Sequence, residues 1–529
     1  MRLISATLVL ALAVGTLRGG EDPVTGYWKV NLFEDGQQMT YWLLKLENKA
    51  GKVSGSISPL KRIPPTTVDD LKLAGDVLRF TIRLESGVAF SFEGKVPKAG
   101  GKILFGSVAR GPQMIPAFLE ATTAKSAFEL NRDLVAKYPA DPRAVEAVQD
   151  LIHQARDNKS SPKDLQEWVD GVIKAAELYG PRWHQETSLR LVETLLAENM
   201  PNLTVTTAAK VEKAFDAKTS IDTQLRLYTS LAAGLRQLKQ EQQAADIESK
   251  IDKLEVGAHQ EYSQKPHFPA AKFAGRKGKS DRAVLVELFT GAQCPPCVAA
   301  DLGFDALQKT YGPSEVVLLQ YHLHIPGPDA LTTPDTESRA SYYEKFVEGT
   351  PTILFNGQPA APGGGGIDDG KEKYKEYRDV IEPLLEKAAA ATLQVKATRK
   401  GNVITIKASV ADLAAAGPKT KLRMALVEDW VRYRGRNGLS FHHRVVRALP
   451  GGAPGLSLTK MEGDYATTVD LTDLKGKLVK YLDDFAKAQS PFPDRQRPLA
   501  FRNLHVVAFV QNDDSRDVLQ AVDVPVKEE

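Results

Sequence analysis

The chain contains only two cysteines, and they stand three positions apart in Cys294-Pro295-Pro296-Cys297. A disulfide that closes a loop of about four residues stabilises a fold by only roughly 2 kcal/mol, against nearly 5 kcal/mol for a loop of about a hundred residues. Cross-links therefore cannot hold this chain together, and its domains must depend on hydrophobic cores. A cysteine pair this close is typical of redox chemistry or of metal binding.

The length and charge of the chain restrict its architecture and function. Its 529 residues indicate three or four domains, and 69 basic against 66 acidic residues leave a net charge of +3. This small excess, without a basic stripe, gives no reason to expect a nucleic-acid partner.

The N-terminus has the pattern of a secretory signal peptide. Met1-Arg2 precedes an apolar run from Leu3 to Val14, and small residues follow. We therefore expect a signal peptide over residues 1–20 and export to a periplasmic or extracellular compartment, where disulfides persist. The apolar run is too short to span a bilayer comfortably. Contact with a membrane surface is left open.

Two regions of different periodicity follow. Short apolar runs separated by Gly and Pro over residues 21–122 predict an antiparallel β-barrel or sandwich. Helical spacing over residues 123–263, with a helix start at Ser161-Pro162, predicts a solenoid-like α-helical domain.

The rest of the chain returns to strands. Residues 264–282 are rich in Pro, Gly and Lys and are interpreted as a linker. Residues 283–390 contain the cysteines, and strand-like runs over residues 391–529, interrupted by a helix-like insert at 474–488, predict a β-sandwich. The expected fold class is multidomain α+β.

The cysteines lie in a regular order of elements. A buried-strand run at residues 284–289 leads through the cysteine pair into helical spacing at 298–311. Another apolar strand follows at 316–322, and Thr350-Pro351 opens a short strand before a helix at 373–390.

This order of strand, Cys-x-x-Cys, helix, strand and Thr-Pro strand resembles the thioredoxin superfamily. The stretch VELFT before the cysteines, with Ala300-Asp301 after them and Tyr321-His322 after the first helix, is similar to a group of secreted bacterial thioredoxin-like proteins. The resemblance covers residues 282–390 and implies an α/β thioredoxin-like domain. It also implies a cis peptide bond at Thr350-Pro351, with the proline facing the cysteines. The chain departs from ordinary thioredoxins in spacing the strand acid Glu287 one residue farther back.

The two cysteines have different expected roles. Cys294 precedes a helix, where the helix dipole and free N–H groups lower the pKa of a thiol, so we expect it to be the exposed attacking nucleophile. Cys297, one turn inside the helix and more buried, is placed to attack the mixed disulfide and release product. Glu287 is a candidate proton shuttle for Cys297, because a buried acid is costly without a role or a partner. The alternative is that the strand turns Glu287 to solvent or to a lysine.

Two other functions remain as alternatives. His322 and His324 share one strand face and could join the cysteines in a copper or zinc site, as in a metallochaperone. A non-catalytic scaffold with a vestigial thioredoxin-like domain is the second alternative. We favour an exported thiol–disulfide oxidoreductase, a reductase or isomerase without metal or cofactor. Its partners would be disulfide-containing proteins and a separate membrane or periplasmic electron donor.

Overall fold

The computed structural model of this chain describes residues 24–34, 36–49, 52–60, 63–96, 101–493 and 497–529. The expected signal peptide, residues 1–20, lies outside these ranges. The chain divides into one unit that ends at Leu254 and another that begins at Glu255. Within the described ranges, no helix combines the length and the apolar character needed to cross a lipid bilayer.

The first unit begins with antiparallel strands. They are β1 (Gly26–Glu34), β2 (Gln37–Lys49), β3 (Lys52–Pro59), β4 (Thr66–Ala74), β5 (Val77–Leu84), β6 (Ala89–Lys95), β7 (Ile103–Arg110) and β8 (Gln113–Thr122). Alternation along the strands turns apolar side chains such as Trp28, Leu44 and Phe80 into one core. The strands pair in the order β3-β2-β1-β8-β7-β6-β5-β4, and β3 contacts β4. The described strands thus form a nearly closed, eight-stranded antiparallel barrel.

Consecutive helices follow the barrel strands. They are α1 (Ala127–Lys137), α2 (Ala144–His153), α3 (Pro162–Ala176), α4 (Pro181–Ala197), α5 (Pro201–Glu212), α6 (Ile221–Gln237) and α7 (Glu241–Gln264). The side chains of Ser126, Ser161 and Ser220 accept hydrogen bonds from backbone N–H groups in the first turns of α1, α3 and α6. The buried apolar faces of the helices pack against one another in hydrophobic cores.

The second unit contains the cysteines. Its strands are β9 (Val284–Thr290), β10 (Val316–His322), β11 (Thr352–Phe355), β12 (Gln358–Pro359), β13 (Thr392–Lys400), β14 (Val403–Ala411), β15 (Gly417–Arg432), β16 (Phe441–Ala448), β17 (Leu456–Leu458), β18 (Gly463–Asp470), β19 (Leu504–Asn512), β20 (Val518–Pro525) and β21 (Lys527–Glu528). Its helices are α8 (Val298–Thr310), α9 (Pro334–Tyr342), α10 (Gly370–Leu385) and α11 (Leu471–Ala488).

The parallel strands β9 and β10 are buried on both faces. One face of β9, with Val286 and Leu288, packs on α8 and α10. The opposite face, with Leu285 and Phe289, packs on Tyr343 and on the C-terminal strands. Because successive side chains of a strand point to opposite faces, each residue of β9 is committed to one of these two environments.

A single sheet joins the cysteine region to the C-terminal region. Its order is β12-β11-β9-β10-β16-β15-β19-β20, with β17 beside β15, and β10 pairs with β16 at Gln320 and Val445. A second sheet, β18-β14-β13-β21, packs on the C-terminal part of the first. The strands of residues 391–529 therefore do not form a sandwich separate from the cysteine region, because β16 pairs with β10. The coarse prediction of a multidomain α+β protein is confirmed.

Candidate disulfide site

Cys294 and Cys297 form a disulfide between the end of β9 and the start of α8. Cys294 has extended backbone angles, and a short 3₁₀ turn from Pro295 to Cys297 leads into α8. The sulfur of Cys294 therefore lies before the helix, and Cys297 already has helical angles. The two prolines occupy the first turn, where their missing N–H groups leave no helical hydrogen bond unmade.

The disulfide is covered, although Cys294 was expected to be exposed. Its relative exposure is 1%, and that of Cys297 is 0%. On one side, the glycine loop of residues 363–366 is hydrogen-bonded to the cysteine turn. The Gly365 N–H donates to the Pro296 carbonyl at 2.9 Å, and the Ala299 N–H donates to the Gly365 carbonyl at 3.2 Å.

A second covering segment is the hairpin loop of residues 433–440, between β15 and β16. The Asn437 N–H donates to the Ala292 carbonyl at 3.0 Å, and the Arg436 N–H donates to Gln293 Oε1 at 3.3 Å. Leu439 packs on Val298 in the first turn of α8. Loops from distant parts of the sequence thus bury a sulfur that local spacing alone would leave in solvent.

Thr350 and Pro351 lie beside the disulfide. Their peptide bond is cis, as expected. The Thr350 carbonyl oxygen is 3.7 Å from Cys294 Sγ. A disulfide sulfur has no proton to donate, so this approach is a contact that becomes a hydrogen bond only when Cys294 is a thiol. Thr350 Oγ1 also donates to the carbonyl of Ile325 at 3.3 Å.

Glu287 faces away from the cysteines. It shares the face of β9 that carries Leu285 and Phe289, whereas α8 packs on the other face. Its carboxylate accepts two hydrogen bonds from Arg339, at 2.8 and 3.0 Å, and one from the Tyr343 hydroxyl at 2.8 Å. This geometry gives Glu287 a structural partner and no path to Cys297, so the proton-shuttle prediction is not supported.

Arg339 is almost fully buried, with 1% exposure. Burial alone would lower the pKa of its guanidinium, but the charge of Glu287 raises the pKa above its usual value. The guanidinium of Arg339 is therefore held in its charged form, and Gln511 accepts a further hydrogen bond from Arg339 at 3.0 Å.

A second buried acid, Asp301, lies on α8 itself, four residues after Cys297. It is 2% exposed, and its Oδ1 accepts hydrogen bonds from Thr290 Oγ1 at 2.9 Å and from Gln320 Nε2 at 3.0 Å. Oδ2 is buried without a hydrogen-bond partner in the described chain. Burial raises the pKa of Asp301 well above its usual value, and the Thr290 hydrogen bond offsets part of this rise. The sequence alone indicates no chemical role for Asp301, although it follows Cys297 by one helical turn.

A buried polar chain extends from Asp301. Gln320 Oε1 lies 3.2 Å from His322 Nε2, and His322 Nδ1 lies 2.8 Å from Asp329 Oδ2. The same Asp329 oxygen accepts the Ala292 N–H at 2.6 Å, just before the cysteine turn. Burial would raise the pKa of Asp329, but the charge of His322 and these hydrogen bonds lower it below its usual value.

The histidines proposed as metal ligands have other partners. His322 is engaged by Asp329 and Gln320, and His324 Nδ1 accepts the Asp329 N–H at 3.0 Å. Burial lowers the pKa of His324 to about 4. In the described chain, no group of three or more His, Cys, Asp or Glu side chains is arranged to hold a metal ion.

His442 and His443 occupy opposite faces of β16. His442 packs edge-on against His322, and His443 Nδ1 lies 2.8 Å from Asp305 Oδ1 on α8. His443 Nε2 is 3.1 Å from the Nε2 of His259, near the end of α7. Burial would lower the pKa of His443, but the charge of Asp305 raises it; burial lowers the pKa of His259 to about 4. One of the two Nε2 atoms therefore donates a hydrogen bond to the other.

No family model matches this chain, and no curated protein matches it. Among solved structures, the chain is similar to HBP35 of Porphyromonas gingivalis, with a TM-score of 0.33 and 14% sequence identity. That match covers 47% of this chain and 77% of the other. A similarity at this level supports no conclusion about fold or function.

Proposed function

We propose that this protein is an exported thiol–disulfide oxidoreductase whose reactive group is Cys294–Cys297. The observation that carries the proposal is the disulfide between the end of a buried strand and the start of α8, with the Thr350 carbonyl 3.7 Å from Cys294 Sγ. A four-residue disulfide loop adds little stability. Its position in front of a helix favours redox chemistry, because a thiolate there is stabilised by the helix dipole.

We further propose that residues 283–390 form a thioredoxin-like domain. In support, β9 and β10 are parallel and joined by α8, β11 pairs antiparallel with β9, and α10 follows β11. The cis peptide before Pro351 lies between α9 and β11, as the family resemblance implies.

The reaction requires both cysteines. The Cys294 thiolate attacks one sulfur of a substrate disulfide, forms a mixed disulfide and releases the first substrate sulfur as a thiolate that takes up a proton. Cys297 then loses its proton, and its thiolate attacks Cys294 Sγ. The Cys294–Cys297 bond forms as the mixed disulfide breaks, so two electrons pass to the substrate. A separate electron donor, as expected for an oxidising compartment, restores the dithiol.

The prolines affect the direction of electron flow. Pro295 and Pro296 remove two N–H groups that could otherwise stabilise the Cys294 thiolate. We therefore expect a reducing pair, nearer the roughly −270 mV of thioredoxin than the roughly −120 mV of a strong periplasmic oxidant. Equilibration with glutathione buffers measures this potential. A value above about −150 mV would show that the pair forms disulfides in its substrates instead of reducing them.

Disulfide reduction with three variants tests the proposed activity. Wild-type protein with dithiothreitol should reduce insulin disulfides faster than dithiothreitol alone, and Cys294→Ser should abolish this increase. Cys297→Ser should instead accumulate a mixed disulfide at Cys294, detected by mass spectrometry. Cys294→Ser is the matched control for trapping, because it also keeps one thiol. A wild-type rate equal to that of the Cys294→Ser/Cys297→Ser double variant would refute the proposal.

A further inference from the structure

The resolving step needs a group that takes the proton of Cys297. Cys297 is fully buried, so bulk water does not reach its sulfur in the described conformation. A thiol attacks only as the thiolate, and burial in apolar surroundings raises the pKa of a thiol. A base inside the protein is therefore required, and Glu287 lies on the wrong face of β9.

Asp301 has the required position. Cys297 has helical backbone angles, and Asp301 follows it by four residues, so the two side chains are neighbours on one face of α8. Helical side chains lean toward the N-terminus, which directs the carboxyl group of Asp301 toward the cysteine turn. The Thr290 hydrogen bond holds the carboxyl group beneath the strand end that leads to Cys294.

Asp301 also has a free acceptor. Thr290 and Gln320 both bind Oδ1, whereas Oδ2 is buried and has no hydrogen-bond partner in the described residues. An unpartnered buried carboxylate oxygen is costly, and such groups in native proteins often have a chemical role.

We propose that Asp301 is the proton acceptor for Cys297 in the resolving step. The inference rests on the proposed oxidoreductase function and adds a residue to it. Cys297 Sγ–H transfers its proton to Asp301 Oδ2, the resulting thiolate attacks Cys294 Sγ, and the substrate sulfur leaves. When a donor later reduces the Cys294–Cys297 bond, protonated Asp301 returns the proton to the leaving Cys297 thiolate.

Several titratable groups surround Asp301. On its own helix these are Cys297 and Asp305; from the other elements they are Tyr262 of α7, His322 of β10 through Gln320, Asp329 of the following loop and Tyr377 of α10. The negative charges of Asp305 and Asp329 add to the burial that raises the pKa of Asp301. The proton affinity of the site therefore responds to specific neighbours, and this response is testable.

The lifetime of the mixed disulfide, measured against pH, is the main test. Reduced protein is mixed with an excess of a disulfide peptide, quenched with acid and analysed by mass spectrometry. In the wild-type protein, the mixed disulfide should resolve faster as pH rises through the titration of Asp301. Asp301→Asn should remove this increase with pH. It should also slow resolution at neutral pH by about tenfold or more, because general base catalysis is lost.

Two neighbours supply controls of opposite sign. Thr290→Val removes a hydrogen bond to the charged form of Asp301 and should move the rise in resolution rate to higher pH. Asp305→Asn removes a negative charge one turn farther along the same helix face. The rise in resolution rate should remain in this variant but occur at lower pH. Because both variants keep the Asp301 side chain, their shifts test the assignment even if the Asp301→Asn protein folds poorly. Unchanged pH profiles in folded Asp301→Asn and Thr290→Val would overturn the assignment.

A second measurement needs no substrate. In the Cys294→Ser background, the ultraviolet absorbance of the thiolate reports the pKa of Cys297. Adding Asp301→Asn should lower that pKa, because a neighbouring negative charge is removed. An equal pKa of Cys297 in both proteins would reject the placement of Asp301 beside Cys297. This conclusion does not depend on whether any disulfide substrate reacts. Failure of all substrates with a shifted pKa would instead reject the oxidoreductase function and keep the Asp301–Cys297 pair.

Discussion

Arg339 and Arg447 are nearly inaccessible to solvent, yet each lies against a carboxylate. Arg339 binds Glu287 at 2.8 and 3.0 Å, and Arg447 Nε donates to Glu428 at 2.7 Å. Removing one partner of a buried ion pair leaves the other charge without compensation in a medium of low dielectric constant. Each buried ion pair therefore favours one arrangement of the two elements that carry its side chains.

We expect Glu287→Gln to destabilise the protein by about 3–5 kcal/mol, because Arg339 would remain charged and buried. The measurement is the free energy of unfolding from urea denaturation. In the molecules that stay folded, disulfide reduction should keep its pH profile, since Glu287 does not face Cys297. Loss of the profile with unchanged stability would return Glu287 to the role of proton shuttle.

The sequence draws attention to Glu287 as an acid near the cysteines, but the fold places its side chain on the face of β9 opposite α8. Glu287 stands out because it interrupts an apolar strand, yet a shift of one position along a strand moves a side chain to the opposite face. Asp301, one helical turn after Cys297, is the acid that is hydrogen-bonded to the other face of the sheet. Its partners Thr290 and Gln320 stand on the same sheet face, but only their contacts in the folded protein identify them as partners.

His442 makes the stability of the protein sensitive to acid. Burial, assisted by the charge of His322, lowers its pKa to about 3 from 6.5. The unfolded chain therefore takes up a proton below about pH 6.5 that the folded chain takes up only near pH 3. The unfolded state gains protons first, so the free energy of unfolding falls as pH decreases through this window.

We expect His442→Gln to reduce this pH dependence by up to about 1.4 kcal/mol per pH unit between about pH 6 and pH 4. Gln keeps an N–H donor for the Tyr433 carbonyl, which His442 Nε2 contacts at 3.0 Å. His267→Gln, at an exposed position, is the matched control and should leave the slope unchanged. Urea denaturation at several pH values measures both. Equal slopes in the His442→Gln and wild-type proteins would contradict the expectation.

At the scale of elements, the hairpin loop of residues 433–440 lies against the residues on either side of the cysteine pair. Gly435 approaches Ala292 so closely that a Cβ would overlap the Ala292 carbonyl oxygen. The loop is therefore held against the residues that precede Cys294 only because this position lacks a side chain.

We expect Gly435→Ala to displace the loop and accelerate reduction of the disulfide by a water-soluble phosphine. Strain of about 1.4 kcal/mol in the closed loop would raise the open population, and hence the reduction rate, about tenfold. Gly364→Ala, in the glycine loop, is the matched control, because a Cβ there meets no atom within 4 Å. Similar rates in the two variants would show that the hairpin loop does not limit access.

Local sequence patterns predicted most elements of the second unit but not their pairing. The insert expected at 474–488 is the helix α11 (Leu471–Ala488), and the strand expected at 316–322 is β10. The pairing of β10 with β16 has no local counterpart in the sequence, because it depends on which sheet edge remains free after β9 has paired. The covering loops follow from that pairing and were missed with it.

At the scale of the whole molecule, the continuous sheet defines the smallest part that can fold. The face of β9 with Leu285 and Phe289 is covered by C-terminal residues such as Val507 and Phe509. A chain without residues 391–529 would expose this face and leave Arg339 without Gln511.

We expect residues 255–529 to unfold cooperatively on their own, and residues 255–390 to lack a cooperative transition. Circular dichroism during thermal unfolding compares the two fragments. The longer fragment is the control for the loss of the first unit. A cooperative transition in the shorter one, at a similar temperature, would show that the cysteine region is independent after all.

The position of the hairpin loop also determines when the thiols become protected in a newly made chain. Ribosomes add about 5–20 residues per second, so the stretch between Cys297 and Gly435 takes on the order of ten seconds to appear. During that interval the hairpin loop of residues 433–440 cannot yet pack beside the cysteine pair. The nascent polypeptide therefore presents two neighbouring sulfhydryls to any oxidant or disulfide it meets, whereas the folded protein buries the disulfide that they form.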